Sequence, residues 1–129
     1  DELLCSEIIK TTGDSHVRSA AGMFSILRSA ELIRRCDVLI SNDSAPMHLA
    51  VAMRTPVVAI FGATSPAFGF APYGKRDVVV QRNDLDCRPC SIHGGGKCPI
   101  GTFDCMTGIS AKRVCEEAEE VLAMKVEQR

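Results

Sequence analysis

Two stretches of the chain are apolar almost without interruption, DVLIS at 37–41 and PVVAIF at 56–61. Such runs lack polar alternation and are the pattern of strands covered on both faces, as in a parallel sheet. Between them MHLAVAM supplies enough apolar sequence for one helix, so the segment predicts a strand-helix-strand crossover of right-handed sense. Upstream, Leu3, Leu4, Ile8 and Ile9 recur at helical spacing and Gly13 with Asp14 closes the element, predicting a helix over residues 2–12. HVRSAA, 16–21, reads as a short strand. From Met23 onward Met23, Ile26, Leu27, Ala30 and Ile33 form one apolar stripe, with Arg28, Glu31, Arg34 and Arg35 on the other face of an amphipathic helix. DVVVQR, 77–82, predicts a further strand, and an irregular segment rich in Cys, Gly and Pro follows over 83–108. A last helix starts near Ser110, with Val114, Ala118, Val121 and Leu122 inward and four glutamates outward. Strands alternating with helices define an α/β class with a mostly parallel sheet.

Composition sharpens this in two respects. A chain of 129 residues suits a single domain over 1–129, and its 46% hydrophobic and 24% charged content excludes a disordered or collagen-like polymer. The formal net charge of −1 leaves no electrostatic footprint for nucleic acid or an anionic membrane surface. No apolar run approaches the ~20 residues of a spanning helix, so a soluble protein without a transmembrane segment is expected. There is no signal-peptide pattern, and the chain opens on Asp1 directly into a helix, as expected of a piece of a longer protein.

Seven cysteines, at 5, 36, 87, 90, 98, 105 and 115, are an odd number. Cys5, Cys36 and Cys115 fall in apolar patterns, where a thiol acts as a small buried hydrophobe, and they suggest a reducing compartment. Cys87, Cys90, Cys98 and Cys105 follow a C-x2-C-x7-C-x6-C spacing that could hold zinc or an iron-sulfur cluster, although the second pair lacks the spacing of a zinc ribbon or finger. Reduced thiols or a disulfide are the alternatives. HGGGK, 93–97, lacks the Walker spacing and the Ser or Thr after Lys97, so it reads as a surface loop; His93 shares that reading, with a fifth metal ligand as the other possibility. In FGFAPYG, Phe68, Phe70 and Tyr73 either line a cleft or cap the core, and the core reading is favoured.

The polar cluster SNDSAP, 41–46, sits where the first strand gives way to its helix. In open α/β sheets ligands bind outside the carboxyl ends of the strands. Pro46 suits the first helical turn, so the helix starts at Ser44 or Ala45 and offers its first N–H groups and dipole to an anion. His48 follows one turn on, near enough to meet a phosphate oxygen. Asp43 would repel a phosphate and suits sugar hydroxyls instead. An ordinary helix cap and a structural histidine explain the same residues equally well. The second strand, however, runs into GATSP, which brings Thr64 and Ser65 to the same sheet edge, and the two turns together suggest a nucleotide-sugar site.

NDSAPMHLAVAMRTPVVAIFGATSP, 42–66, resembles the signature of glycosyltransferase family 9, the bacterial heptosyltransferases of lipopolysaccharide inner-core synthesis. The similarity extends back through GMFSILRSAELIRRCDVLIS and forward through CRPC, CPIG and CM. It implies a Rossmann-like sheet belonging to the C-terminal, donor-binding half of a two-domain GT-B enzyme. It implies a heptose donor, ADP-heptose or a similar nucleotide sugar, transferred with inversion to a lipopolysaccharide-core acceptor. No cofactor is required; the acceptor and catalytic base belong to a domain outside this chain, as does a phosphate-binding lysine. Carried over by motif, Asp43 holds the heptose hydroxyls, Ser44 and Ala45 present backbone amides to the diphosphate, and His48 stabilises it as it leaves. Phe24 falls where the family places an apolar residue against the adenine, and core packing is its competing reading. Asp1 or Glu2 falls near the acidic ribose ligand. Ala45 stands where the family often has Gly, and its methyl narrows the approach to the backbone. The family implies a cytoplasmic location, peripheral to the inner membrane for the full protein. Two other classes stay open, a Cys-centred metal or redox module on an α/β scaffold and a non-catalytic nucleotide-binding domain.

Overall fold

The run VVAIF becomes the middle of the protein because both of its faces find cover. In the computed structural model, which describes residues 2–126, this segment is strand β2 (Val57–Phe61). It pairs in parallel with β1 (Leu39–Asn42) on one side and β3 (Val78–Gln81) on the other. Leu39 lies opposite Val57, and Val58 opposite Val78. Val57, Ala59 and Phe61 point to one layer, where they pack on Ile33 of α2 (Ile26–Arg34) and on Met47 and Ala50 of α3 (Ala45–Met53). Val58 and Val80 point to the other and meet Val114, Ala118 and Val121 of a long C-terminal helix. Phe61, Met47, Val57, Val58, Val80 and Val121 are wholly buried. Each such side chain stabilises the fold by roughly 1.5–3 kcal/mol. The sheet is thus Rossmann-like and parallel, and β2 is covered on both faces as its lack of alternation predicts; β1 is not, since at the sheet edge it alternates between half-buried and exposed positions and leaves Ile40 47% exposed.

Two polar devices fix the amino edge of the sheet. The Asp77 carboxylate accepts hydrogen bonds from the Val57 N–H at 3.1 Å and the Gly74 N–H at 2.6 Å, holding the starts of β2 and β3 together. The buried Thr55 hydroxyl donates to the Ile33 carbonyl at 2.9 Å and so satisfies the end of α2 from the turn after α3. That turn passes through Arg54 in the left-handed region (φ 59°), which lets the Thr55 N–H reach back to Ala50.

The helices α1 (Glu2–Thr12), α4 (Asp104–Thr107) and α5 (Ala111–Val126) complete the fold, with a 3₁₀ turn at Pro66–Phe68. Several expectations need correction. HVRSAA is no strand: the Asp14 side chain captures the His16 N–H at 2.8 Å and its carbonyl the Val17 N–H, so a local turn takes the donors a ladder would need. α2 starts at Ile26 behind Ser25, and only Ala30 and Ile33 of its stripe are buried; Met23, Ile26 and Leu27 face outward. α1 has no buried residue because it lies off the sheet, so Cys5 is only half-buried. Cys36 and Cys115 are exposed, and of the seven free thiols Cys105 alone is buried. Leu122 is 39% exposed, one position beyond the inward row of α5.

Candidate functional site

β1 and β2 end side by side, and their exits diverge to leave a cavity of about 350 Å³ at the carboxyl edge of the sheet. The β1 exit supplies Asp43, Ser44, Ala45 and His48. Asp43 is held at the edge because its N–H donates to the Ile60 carbonyl at 3.0 Å, one further rung of the β1–β2 ladder, and its side chain is half-buried. Ser44 is the N-cap residue of α3, yet no side chain caps the helix: its hydroxyl donates instead to the Asn42 carbonyl at 3.2 Å. Pro46 follows in the first turn, where its missing N–H costs nothing. The helix start is therefore exposed and uncapped, with His48 one turn behind it in the wall of the same cavity. An end of this kind carries partial positive charge and attracts anions. Thr64, from the β2 exit, completes the wall on the other side.

Residues 2–94 match the model of glycosyltransferase family 9 (heptosyltransferase). The chain belongs to glycosyltransferase family 9. It is similar to lipooligosaccharide heptosyltransferase 2 of Campylobacter jejuni serotype O:2, with 30% identity over 95% of this chain and 38% of the relative. Against the protein of the same name from Haemophilus influenzae it is 38% identical over 80% of this chain and 29% of the relative. Lipopolysaccharide heptosyltransferase 2 of Escherichia coli K12 is 35% identical over 46% of this chain. The chain thus spans less than two fifths of the length of these relatives. No solved structure matches it.

Not every residue read from the sequence joins this cavity. Ser65 is separated from Thr64 because the chain bends through 62–64 and Ser65 then turns into the 3₁₀ turn that follows. Ser65 caps the 3₁₀ turn, accepting from the Ala67 N–H at 3.2 Å, and lines a separate polar cavity of about 170 Å³ with Gln81 and Arg82. Phe24 lies in the loop before α2, largely exposed and outside the cavity wall. Of the two acidic candidates, Asp1 lies outside the described residues, whereas the Glu2 carboxylate packs on Gly22, two residues from Phe24.

The cysteine segment folds differently from either cluster reading. Among the described residues no three His, Cys, Asp or Glu side chains are placed to hold a metal ion. Three of the sulfurs lie against different neighbours. Cys90 donates to the Cys87 carbonyl at 3.6 Å, and Cys98 accepts from the Phe103 N–H at 3.4 Å, while Cys105 is turned beneath Gly62. The Phe103 N–H, with those of Ile100, Thr102 and Gly101, holds the Cys98 thiol below its usual range. Beside this segment Arg82 grips Asp84 in a two-pronged pair and lowers that carboxyl to about 2.

Three members of the cavity wall, Phe70, Ile92 and His93, were not assigned to the site by sequence reasoning. For Phe70 the less favoured of the two readings, lining a cleft, fits its 48% exposure at the cavity, whereas Tyr73 is exposed and only Phe68 is partly covered, so the core reading does not hold for either Phe70 or Tyr73. His93 was read as part of a surface loop. It is exposed, but the loop brings it to the cavity.

Proposed function

We propose that this chain is the donor-binding part of a heptosyltransferase that moves heptose from ADP-heptose, or a closely related nucleotide sugar, to the inner core of lipopolysaccharide. The observation that carries the reading is the convergence of Asp43, the uncapped start of α3, His48 and Thr64 on one cavity in a family-9 chain. Asp43 accepts hydrogen bonds from sugar hydroxyls, while the amides of Ser44 and Ala45 face the diphosphate. An acceptor hydroxyl attacks the anomeric carbon as the bond to the diphosphate breaks, which inverts the configuration. The diphosphate gains negative charge in that step, and the helix end and His48 are fixed donors aimed at it. Such donors stabilise a transition state without reorganising, and removing one costs about 3 kcal/mol. In this scheme the leaving group needs no metal ion, and the base and the acceptor site belong to a second Rossmann-like domain of a GT-B enzyme. The full protein would act at the cytoplasmic face of the inner membrane; no helix among the described residues is long and apolar enough to cross it.

A transfer assay on the complete enzyme tests this. His48→Ala is expected to lower kcat about a hundredfold, as loss of one such donor implies. Asp43→Ala is expected to raise the KM for the sugar donor. Transfer within twofold of wild type for both variants refutes the assignment.

A further inference from the structure

We infer that His93 is a second diphosphate-binding side chain, on the β2 side of the cavity, and that Arg88 is the residue that positions it. The inference rests on the donor-site reading above and adds to it a residue from the cysteine segment.

Past their last rungs β2 and β3 leave backbone carbonyls without a ladder partner. Arg88 gathers them. Its Nε donates to the Gly62 carbonyl at 2.6 Å, Nη1 to the Arg82 carbonyl, and Nη2 to the Thr64 carbonyl at 2.9 Å and the Phe61 carbonyl at 3.2 Å. Nη2 also reaches Gln81 Oε1 at 3.1 Å. A guanidinium presents five N–H donors in a rigid planar fork, so one side chain closes off both strand ends and pins the start of the cysteine segment to them. Two residues on, the Cys90 N–H donates to the Ala63 carbonyl at 2.8 Å. The chain then turns: Gly94 N–H approaches the Ser91 carbonyl, and the Ser91 hydroxyl donates to the Gly94 carbonyl at 2.9 Å. Gly94 adopts φ +68°, and a Cβ on it would stand 3.3 Å from Thr64 Cγ2, so the turn is seated directly on the β2 exit. His93 is the third residue of that turn and lines the cavity that Asp43, Ser44 and His48 enter from the β1 side. The wall thus carries one imidazole from each strand exit, with the uncapped helix start on the β1 side. A diphosphate has two phosphoryl groups to be held, and donors from two sides fix both.

Calorimetric titration with ADP and with adenosine tests the inference. A charge-assisted hydrogen bond to one phosphate implies that His93→Ala weakens ADP about tenfold and leaves adenosine unchanged. His93→Gln, which keeps one donor, should recover part of the loss. Arg88→Met should weaken ADP by a similar factor, and the Arg88→Met/His93→Ala pair no further than either alone, since both remove the same contact. Because His93 is exposed, its variants stay informative even if Arg88→Met folds poorly. If His48→Ala weakens ADP while His93→Ala does not, or if ADP and adenosine weaken equally in His93→Ala, the inference is wrong and the donor site stands. If the wild-type protein binds none of ADP, UDP and GDP, the donor-site reading falls and this inference with it.

Discussion

The sheet carries a cavity at each end, and the two are nearly equal in size, about 350 Å³ at the carboxyl edge and about 330 Å³ at the amino edge. Charge alone would favour the amino edge for an anion, since Arg54, Lys75 and Arg76 line it and Arg76 Nη1 is buried there without a hydrogen-bond partner among the described residues. Backbone polarity argues the other way. The amino-edge cavity receives the C-terminal end of α3, whose partial negative charge attracts cations and whose last carbonyls the Arg54 backbone N–H caps. Its one carboxylate, Asp77, is occupied by two backbone N–H groups. The carboxyl-edge cavity receives the start of the same helix, uncapped, beside a histidine. One helix therefore presents its uncapped start at one end of the sheet and its capped end at the other, a difference that counting arginines does not reveal.

Variants at the two ends should separate along the same line. Asp77→Ala removes the acceptor for the Val57 N–H in a wholly buried residue and should cost about 2 kcal/mol of stability with ADP affinity unchanged. Loss of affinity in Asp77→Ala would mean that the two ends are coupled. At the carboxyl edge a Cβ on Gly62 would meet Met106 Sδ at 2.4 Å and Cγ at 2.9 Å. Gly62→Ala must turn the flexible, 39%-exposed Met106 side chain off the β2 exit, which places its cost at about 1 kcal/mol in denaturant titration, the low end of overpacking. The smallest effect lies away from both cavities, on the exposed Glu31. Arg34 and then Arg35 hold its carboxyl down, from an ordinary 4.5 to about 2. A carboxyl whose folded pKa is depressed adds stability that is complete above the unfolded value and fades as pH falls. Glu31→Gln should therefore be slightly less stable than wild type at neutral pH, with the difference shrinking between about 4.5 and about 2. A constant difference across that window would contradict the pairing.

What the sequence revealed of this arrangement follows from range. Val57–Phe61 and the start of α3 are set by neighbours within a few positions, through branched aliphatic side chains, Ser44 and Pro46, and both were legible. The stripe of α2 was legible as a helix but not in its exposure, because burial depends on what lies opposite, and nothing among the described residues buries Leu27. Thr64 and Ser65 are neighbours in sequence, yet the bend through 62–64 and the 3₁₀ turn that Ser65 caps send them to different cavities. His93 was missed for a stronger reason. Its place is fixed by Arg88 through carbonyls up to 27 residues away in sequence, and backbone carbonyls carry no signature in a side-chain pattern. The cysteine spacing left a metal cluster, reduced thiols and a disulfide open, because which neighbours the sulfurs of Cys90, Cys98 and Cys105 meet is set by the path of the loop and not by the spacing.

The most direct test of the central claim is residue-resolved: amide chemical-shift changes measured while ADP is titrated into the protein. Changes centred on Ser44, Ala45, His48 and Thr64 are the predicted result. Changes centred on Lys75, Arg76 and Asp77 at the opposite edge, or none at either edge, would contradict it.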